Sequence, residues 1–69
     1  MKYVVIFEPT TTGYSAEVPD LPGCVAAGAT LAETSELMRG AIRMHLAGMR
    51  KDGEPILEPR TIAESIAAA

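Results

Sequence analysis

Only a few side chains in this sequence are chemically versatile, and their spacing decides how they are read. Cys24 is the only cysteine and His45 the only histidine. A thiol and an imidazole make a nucleophile and base when they lie within hydrogen-bond reach and a third group orients the ring. No such third residue is evident here. Cys24 falls at a loop-to-strand junction and His45 late in a helical segment. A lone cysteine in a core strand ordinarily serves as a small apolar filler, and His45 reads as a packing or surface residue beside an apolar stripe. The pair also falls short of the four nitrogen or sulfur ligands of a structural zinc site, and a single cysteine makes no internal disulfide.

Carboxylates are the other candidates. Metal-assisted hydrolysis needs acids that converge on one face, typically from strand centres. Glu8, Glu17, Asp20, Glu33 and Glu36 instead map to strand ends, a loop and a helix start. Only Glu17 lies inside a strand, and its alternation points it to solvent. Gly23 and Gly28 have neither the spacing nor the Lys-Ser/Thr of a phosphate-binding loop. The residues therefore predict no catalysis, no metal and no cofactor, and a protein that works by binding another macromolecule.

The elements that position these side chains follow from pattern. Lys2 to Glu8 is rich in β-branched and aromatic residues and reads as a strand, with Tyr3, Val5 and Phe7 on one face and Val4 and Ile6 on the other. Pro9 to Gly13 is turn chemistry. Tyr14 to Val18 is a second strand, with Tyr14, Ala16 and Val18 inward and Ser15 and Glu17 outward. Pro19-Asp20-Leu21-Pro22-Gly23 cannot continue a ladder, because its prolines lack an N–H. Cys24 to Ala27 is a short third strand. Thr30 and Glu33 form a capping box that opens a helix from Leu31 to about Arg50. Its apolar stripe is Leu31, Met38, Ile42, Leu46 and Met49, widened by Leu37, Ala41 and Met44. Gly40 and Gly48 inside that helix predict close packing against another backbone, and Gly53 suits a C-cap. Glu54 to Pro59 is extended. Thr61 to Ala69, with a second Thr-x-x-Glu box at Thr61 and Glu64, predicts a short helix with Ile62 and Ile66 facing inward, a fourth strand being the alternative.

The expected fold class is α+β: a single domain over residues 1–69 with a small antiparallel sheet in the order β-β-β-α. At 69 residues such a chain buries only about 60% of its unfolded surface. Without disulfides or metal, the remaining support is a partner, so a homodimer or higher homo-oligomer is expected, covering the sheet face opposite the helix. The net charge of −3 and six scattered Lys/Arg give no stripe for tracking phosphates. No apolar run nears the ~20 residues of a membrane span, and the apolar N-terminus is too short for a signal peptide. A cytoplasmic location is expected.

Taken in order, Gly13-Tyr14, the run Glu17-Val18-Pro19-Asp20-Leu21-Pro22-Gly23-Cys24, then Gly28-x-Thr30-Leu31-x-Glu33, the Ala41-Ile42 helix, Asp52-Gly53-Glu54-Pro55-Ile56 and Glu58-Pro59 resemble the HicB family of type II antitoxins. The likeness covers nearly the whole chain. It departs at Ala29, where an acidic residue is common, and at Ala32 and Thr34, where Glu and Ala are usual.

The resemblance implies a partly degraded ribonuclease-H-like fold without nuclease activity. It also implies that the chain binds and neutralises HicA, a small RNA-cleaving toxin. Many members carry a further DNA-binding domain; none is visible up to Ala69, so direct DNA binding is not expected of these residues. The candidate toxin-contact residues are Glu17, Asp20, Leu21 and Pro22, where acid and an exposed leucine flank rigid prolines. The alternative is an orphan oligomeric scaffold module with no toxin.

Overall fold

The computed structural model describes residues 1–69. Its elements are β1 (Ile6–Pro9), β2 (Tyr14–Glu17), β3 (Val25–Gly28) and α1 (Leu31–Lys51). The strands form one antiparallel sheet in the order β1-β2-β3. Register places Ile6, Glu17 and Val25 in one cross-sheet row and Phe7, Ala16 and Ala26 in the next. Glu8, Ser15 and Ala27 follow, and then Pro9, Tyr14 and Gly28. Since side chains alternate along a strand, the rows containing Phe7 and Tyr14 lie on one face and those containing Ile6 and Glu8 on the other.

The helix covers the Phe7 face. Its buried residues are Thr34, Met38 and Leu46. They meet Ala16, Val18, Leu21 and Cys24, with Tyr3, Val5, Phe7, Ala26, Ala41, Ile42, Met49 and Ile56 packed around them. The helix lies chiefly over β3 and β2, with Phe7 of β1 at the margin of the same core. Both ends of α1 are closed as the sequence leads one to expect. Thr30 Oγ1 accepts from the Glu33 N–H at 3.1 Å. The Glu33 carboxylate reaches back at 3.3 Å to the N–H of Ala29, one residue earlier than in the usual box. At the far end Gly53 has φ +73. Its N–H donates to Arg50 O, and that of Glu54 to Met49 O, the pair of bonds that defines a Schellman stop.

Four expectations are corrected. The predicted stripe of α1 is too wide: Leu31, Leu37 and Met44 are exposed, and fully buried Thr34 takes a core place instead. Its hydroxyl donates to Thr30 O at 2.7 Å, which satisfies the one polar atom that would make burial costly. Gly40 and Gly48 are not packed against backbone, since a Cβ at either would meet nothing within 4 Å. Residues 61–69 form neither helix nor strand, and Ile62 and Ile66 are 90% and 79% exposed. Thr61, expected as a helix cap, gives its N–H and hydroxyl to Asp20 instead. Finally, Leu21 is buried rather than exposed.

Candidate protein-binding surface

The loop between β2 and β3 is two turns in tandem. Val18 O accepts from Leu21 N–H and Leu21 O from Cys24 N–H, both at 3.0 Å, while Val18 N–H donates to Cys24 O at 3.2 Å. In the second turn Pro22 fixes φ at the first central position and Gly23, with φ +85, takes the second. That is the signature of a type II turn. This geometry points Leu21 and Cys24 into the core, each 3% exposed, and leaves Pro22 and Gly23 at the tip.

Asp20 is engaged from within the chain. Its carboxylate accepts from the N–H groups of Arg60 and Thr61, each at 2.9 Å, and from the Thr61 hydroxyl at 2.7 Å. The Thr61 backbone and hydroxyl bonds, then the Arg60 N–H, stabilise the carboxylate and hold its pKa below the ordinary aspartate range. Together with the bond from the Tyr3 hydroxyl to Leu57 O at 3.2 Å, this ties the extended segment after α1 back onto the sheet. Asp20 is thus a structural clasp, and Leu21 an anchor of the core. Of the four sequence-derived contact residues, Glu17 and Pro22 remain exposed.

Glu17 does not stand alone. On the sheet face opposite the helix it joins Ile6, Glu8, Ser15, Val25 and Ala27 in a shallow depression. Register puts Glu8 directly across from Ser15, diagonal to Glu17 and within roughly 7–8 Å of it. Ile6 and Val25 are 38% and 63% exposed. The result is an acidic shelf with apolar flanks. Sequence alternation alone flagged Glu17 and missed Glu8, Ile6 and Val25 as its companions. Only the strand register assembles them.

The catalytic possibilities find no geometry. Cys24 and His45 line the same shallow hollow, yet no hydrogen bond joins them, and burial pushes the Cys24 thiol up and away from thiolate. No three His, Cys, Asp or Glu side chains are placed to hold a metal ion. No helix is long and apolar enough to cross a membrane.

Residues 3–69 match the model of the HicB-like antitoxins of bacterial toxin-antitoxin systems. The chain belongs to that family. Its strand-strand-strand-helix architecture superposes on a chain of a HicA3–HicB3 toxin-antitoxin complex with a TM-score of 0.74. That match has 28% identity and covers 86% of this chain and 70% of that one. This HicB-like chain is also 40% identical over 67 residues to a UPF0150 protein of Thermoplasma acidophilum, covering 96% of itself and 94% of that protein. It is 38% identical over 66 residues to an uncharacterized protein encoded in the rep-hol intergenic region of Haemophilus phage HP1. There it covers 96% of itself but spans only half the length of the phage protein. Antitoxins of this kind act by binding and not by catalysis.

Proposed function

We propose that this HicB-like chain is the neutralising partner of a HicA-type toxin and that it acts in the cytoplasm. The toxin's RNA-facing surface is met by the acidic shelf of Glu8 and Glu17. The observation that carries this reading is the likeness to a chain solved as part of a HicA3–HicB3 complex. The shelf supplies the physical complement. A protein that cleaves RNA needs a cationic surface to hold the phosphate backbone, and a carboxylate pair with apolar flanks opposes such a surface in charge while Ile6 and Val25 add desolvated contact. Charge matching of this sort accelerates encounter and selects the partner. The same negative charge gives the chain itself no affinity for DNA.

The test is co-expression with a HicA-type toxin, followed by calorimetry of the purified pair. Growth arrest is relieved and a complex is recovered. The double change Glu8→Lys with Glu17→Lys weakens binding by at least tenfold, and the wild-type affinity falls as salt is raised. A toxin that still arrests growth and does not bind the chain defeats the proposal. Binding that is indifferent to the double charge reversal moves the contact elsewhere on the molecule.

A further inference from the structure

Because α1 lies chiefly over β3 and β2, the helix-facing side of β1 and of the residues before it is only partly roofed. Tyr3, Val5 and Phe7, at alternate positions, present half-buried side chains there. They form the floor of an open groove of about 260 Å³, with Met38, Arg39 and Ile42 of α1 as its wall. Arg39 is the one charged residue that lines it. The rim of that wall is basic. At 3.6 residues per turn, Arg39, Arg43 and Arg50 fall within about 40° of one another on the helix, so Arg43 and Arg50 follow Arg39 along the groove side. They are three of the six basic residues in a chain of net charge −3. Arg50, in the last turn, is favoured by the helix dipole. Arg39 and Arg43 lie mid-helix, where the dipole gives them nothing. Arg39 reaches Glu36 at 3.4 Å, but the two side chains are 67% and 78% exposed, so the pair contributes little. Arg43 has no acidic partner.

We propose that this groove binds an extended acidic segment of another protein, one with carboxylates at alternate positions and an apolar residue between them. Charge complementarity selects the acids, and the apolar floor selects the residue between. Spacing agrees. Arg39 and Arg43 are about 6 Å apart along the helix axis, and alternate residues of an extended chain are about 6.6 Å apart. Two carboxylates so spaced meet the two guanidinium groups while the intervening side chain turns the other way, onto Val5, Phe7 and Ile42. A nucleic acid fits less well, because the net negative charge of the chain repels a long phosphate backbone, whereas a short acidic segment meets only the rim. The cationic surface of a toxin is repelled by the same arginines. The groove also lies on the opposite side of the sheet from the Glu8–Glu17 shelf, so the inference goes beyond the toxin reading and stands or falls apart from it.

Fluorescence anisotropy of the full chain with a fluorescein-labelled peptide, Gly-Ser-Asp-Leu-Asp-Leu-Asp-Gly, tests this. Binding is saturable and weakens as salt is raised, and the same peptide with Lys in place of Asp stays free. On saturation the amide resonances of Val5, Phe7 and Ile42 shift. Arg43→Glu, which replaces attraction by repulsion at an exposed site, weakens binding about tenfold. Lys51→Glu changes the net charge equally but lies off the stripe, and it leaves the affinity nearly unchanged. Absence of saturable binding at high micromolar chain overturns the proposal, as does equal binding of the Lys peptide or an Arg43→Glu variant that binds as well as the wild type. A single-stranded oligouridylate that binds more tightly than the peptide, and is released by Arg43→Glu, makes the stripe a phosphate site and overturns it too. So do shifts at Val5, Phe7 and Ile42 that arise simply on concentrating the chain, which would seat a second copy in the groove.

Discussion

Gly13 and Asp20 show how much single residues decide in so thin a structure. A Cβ on Gly13 would run into the carbonyl oxygen of Gly28 and approach the Cα of Ala29 at 2.8 Å. The obstacle is backbone, which cannot rotate aside. Gly13→Ala should therefore lower stability by about 1–3 kcal/mol, the range for overpacking, read as a lower urea midpoint. Asp20 acts through its charge. Because bonds from Thr61 and Arg60 lower its folded-state pKa, its contribution is fully present above the ordinary aspartate range and is lost as pH falls through the lower folded value. The protection of the Arg60 and Thr61 amides, measured relative to their intrinsic exchange rates, should fall on acidification through that window. In Asp20→Asn that protection should already be low at neutral pH and insensitive to this titration.

Among the elements, α1 is the one whose sequence is least optimised for the isolated chain. Its caps are sound at both ends, and its last turn carries Arg50 and Lys51, which favour the negative end of the helix dipole. Its interior, however, holds two glycines with empty space beside them. Gly48→Ala should raise stability by about 1 kcal/mol, seen as a higher thermal midpoint, since the added methyl meets no neighbour. Thr34 teaches the reverse lesson. Its hydroxyl is satisfied inside its own helix, so a residue that counts as polar in any periodicity analysis occupies a core position. The expected stripe erred on both sides for one reason: which flank of a helix is covered depends on where the sheet lies beneath it.

The whole molecule is a slab, not a sphere. Its radius of gyration is 13.4 Å, against about 11 Å expected for a compact chain of this length, and its thinnest dimension is 16 Å. Just seven residues are buried, so the segment after the helix matters to stability up to the point where it stops touching the sheet. That point is Thr61. Deleting residues 62–69 should leave the unfolding midpoint unchanged. Deleting residues 54–69 should lower it, because the packing of Ile56 and the Asp20 and Tyr3 hydrogen bonds go with them. Equal midpoints for the two truncations would show that the clasp contributes nothing.

Local chemistry made much of this protein legible in its sequence. Alternation marked β2, Thr30 and Glu33 marked the helix start, Gly53 its end, and Pro22-Gly23 the turn, because each acts over a few residues whatever surrounds it; the first strand, expected over Lys2 to Glu8, pairs only over Ile6–Pro9. The motif order through Glu58-Pro59 carried the family for the same reason. What depended on how the elements sit against one another was not legible. Leu21 turned inward because two linked turns aim it at the core, Thr61 abandoned its capping role because the Asp20 carboxylate lies within reach, and Glu8 joined Glu17 only through the register of β1 on β2. For Thr61 the competing capping preference is worth only about 1 kcal/mol, and the Asp20 carboxylate, 41 residues away in the chain, outweighed it.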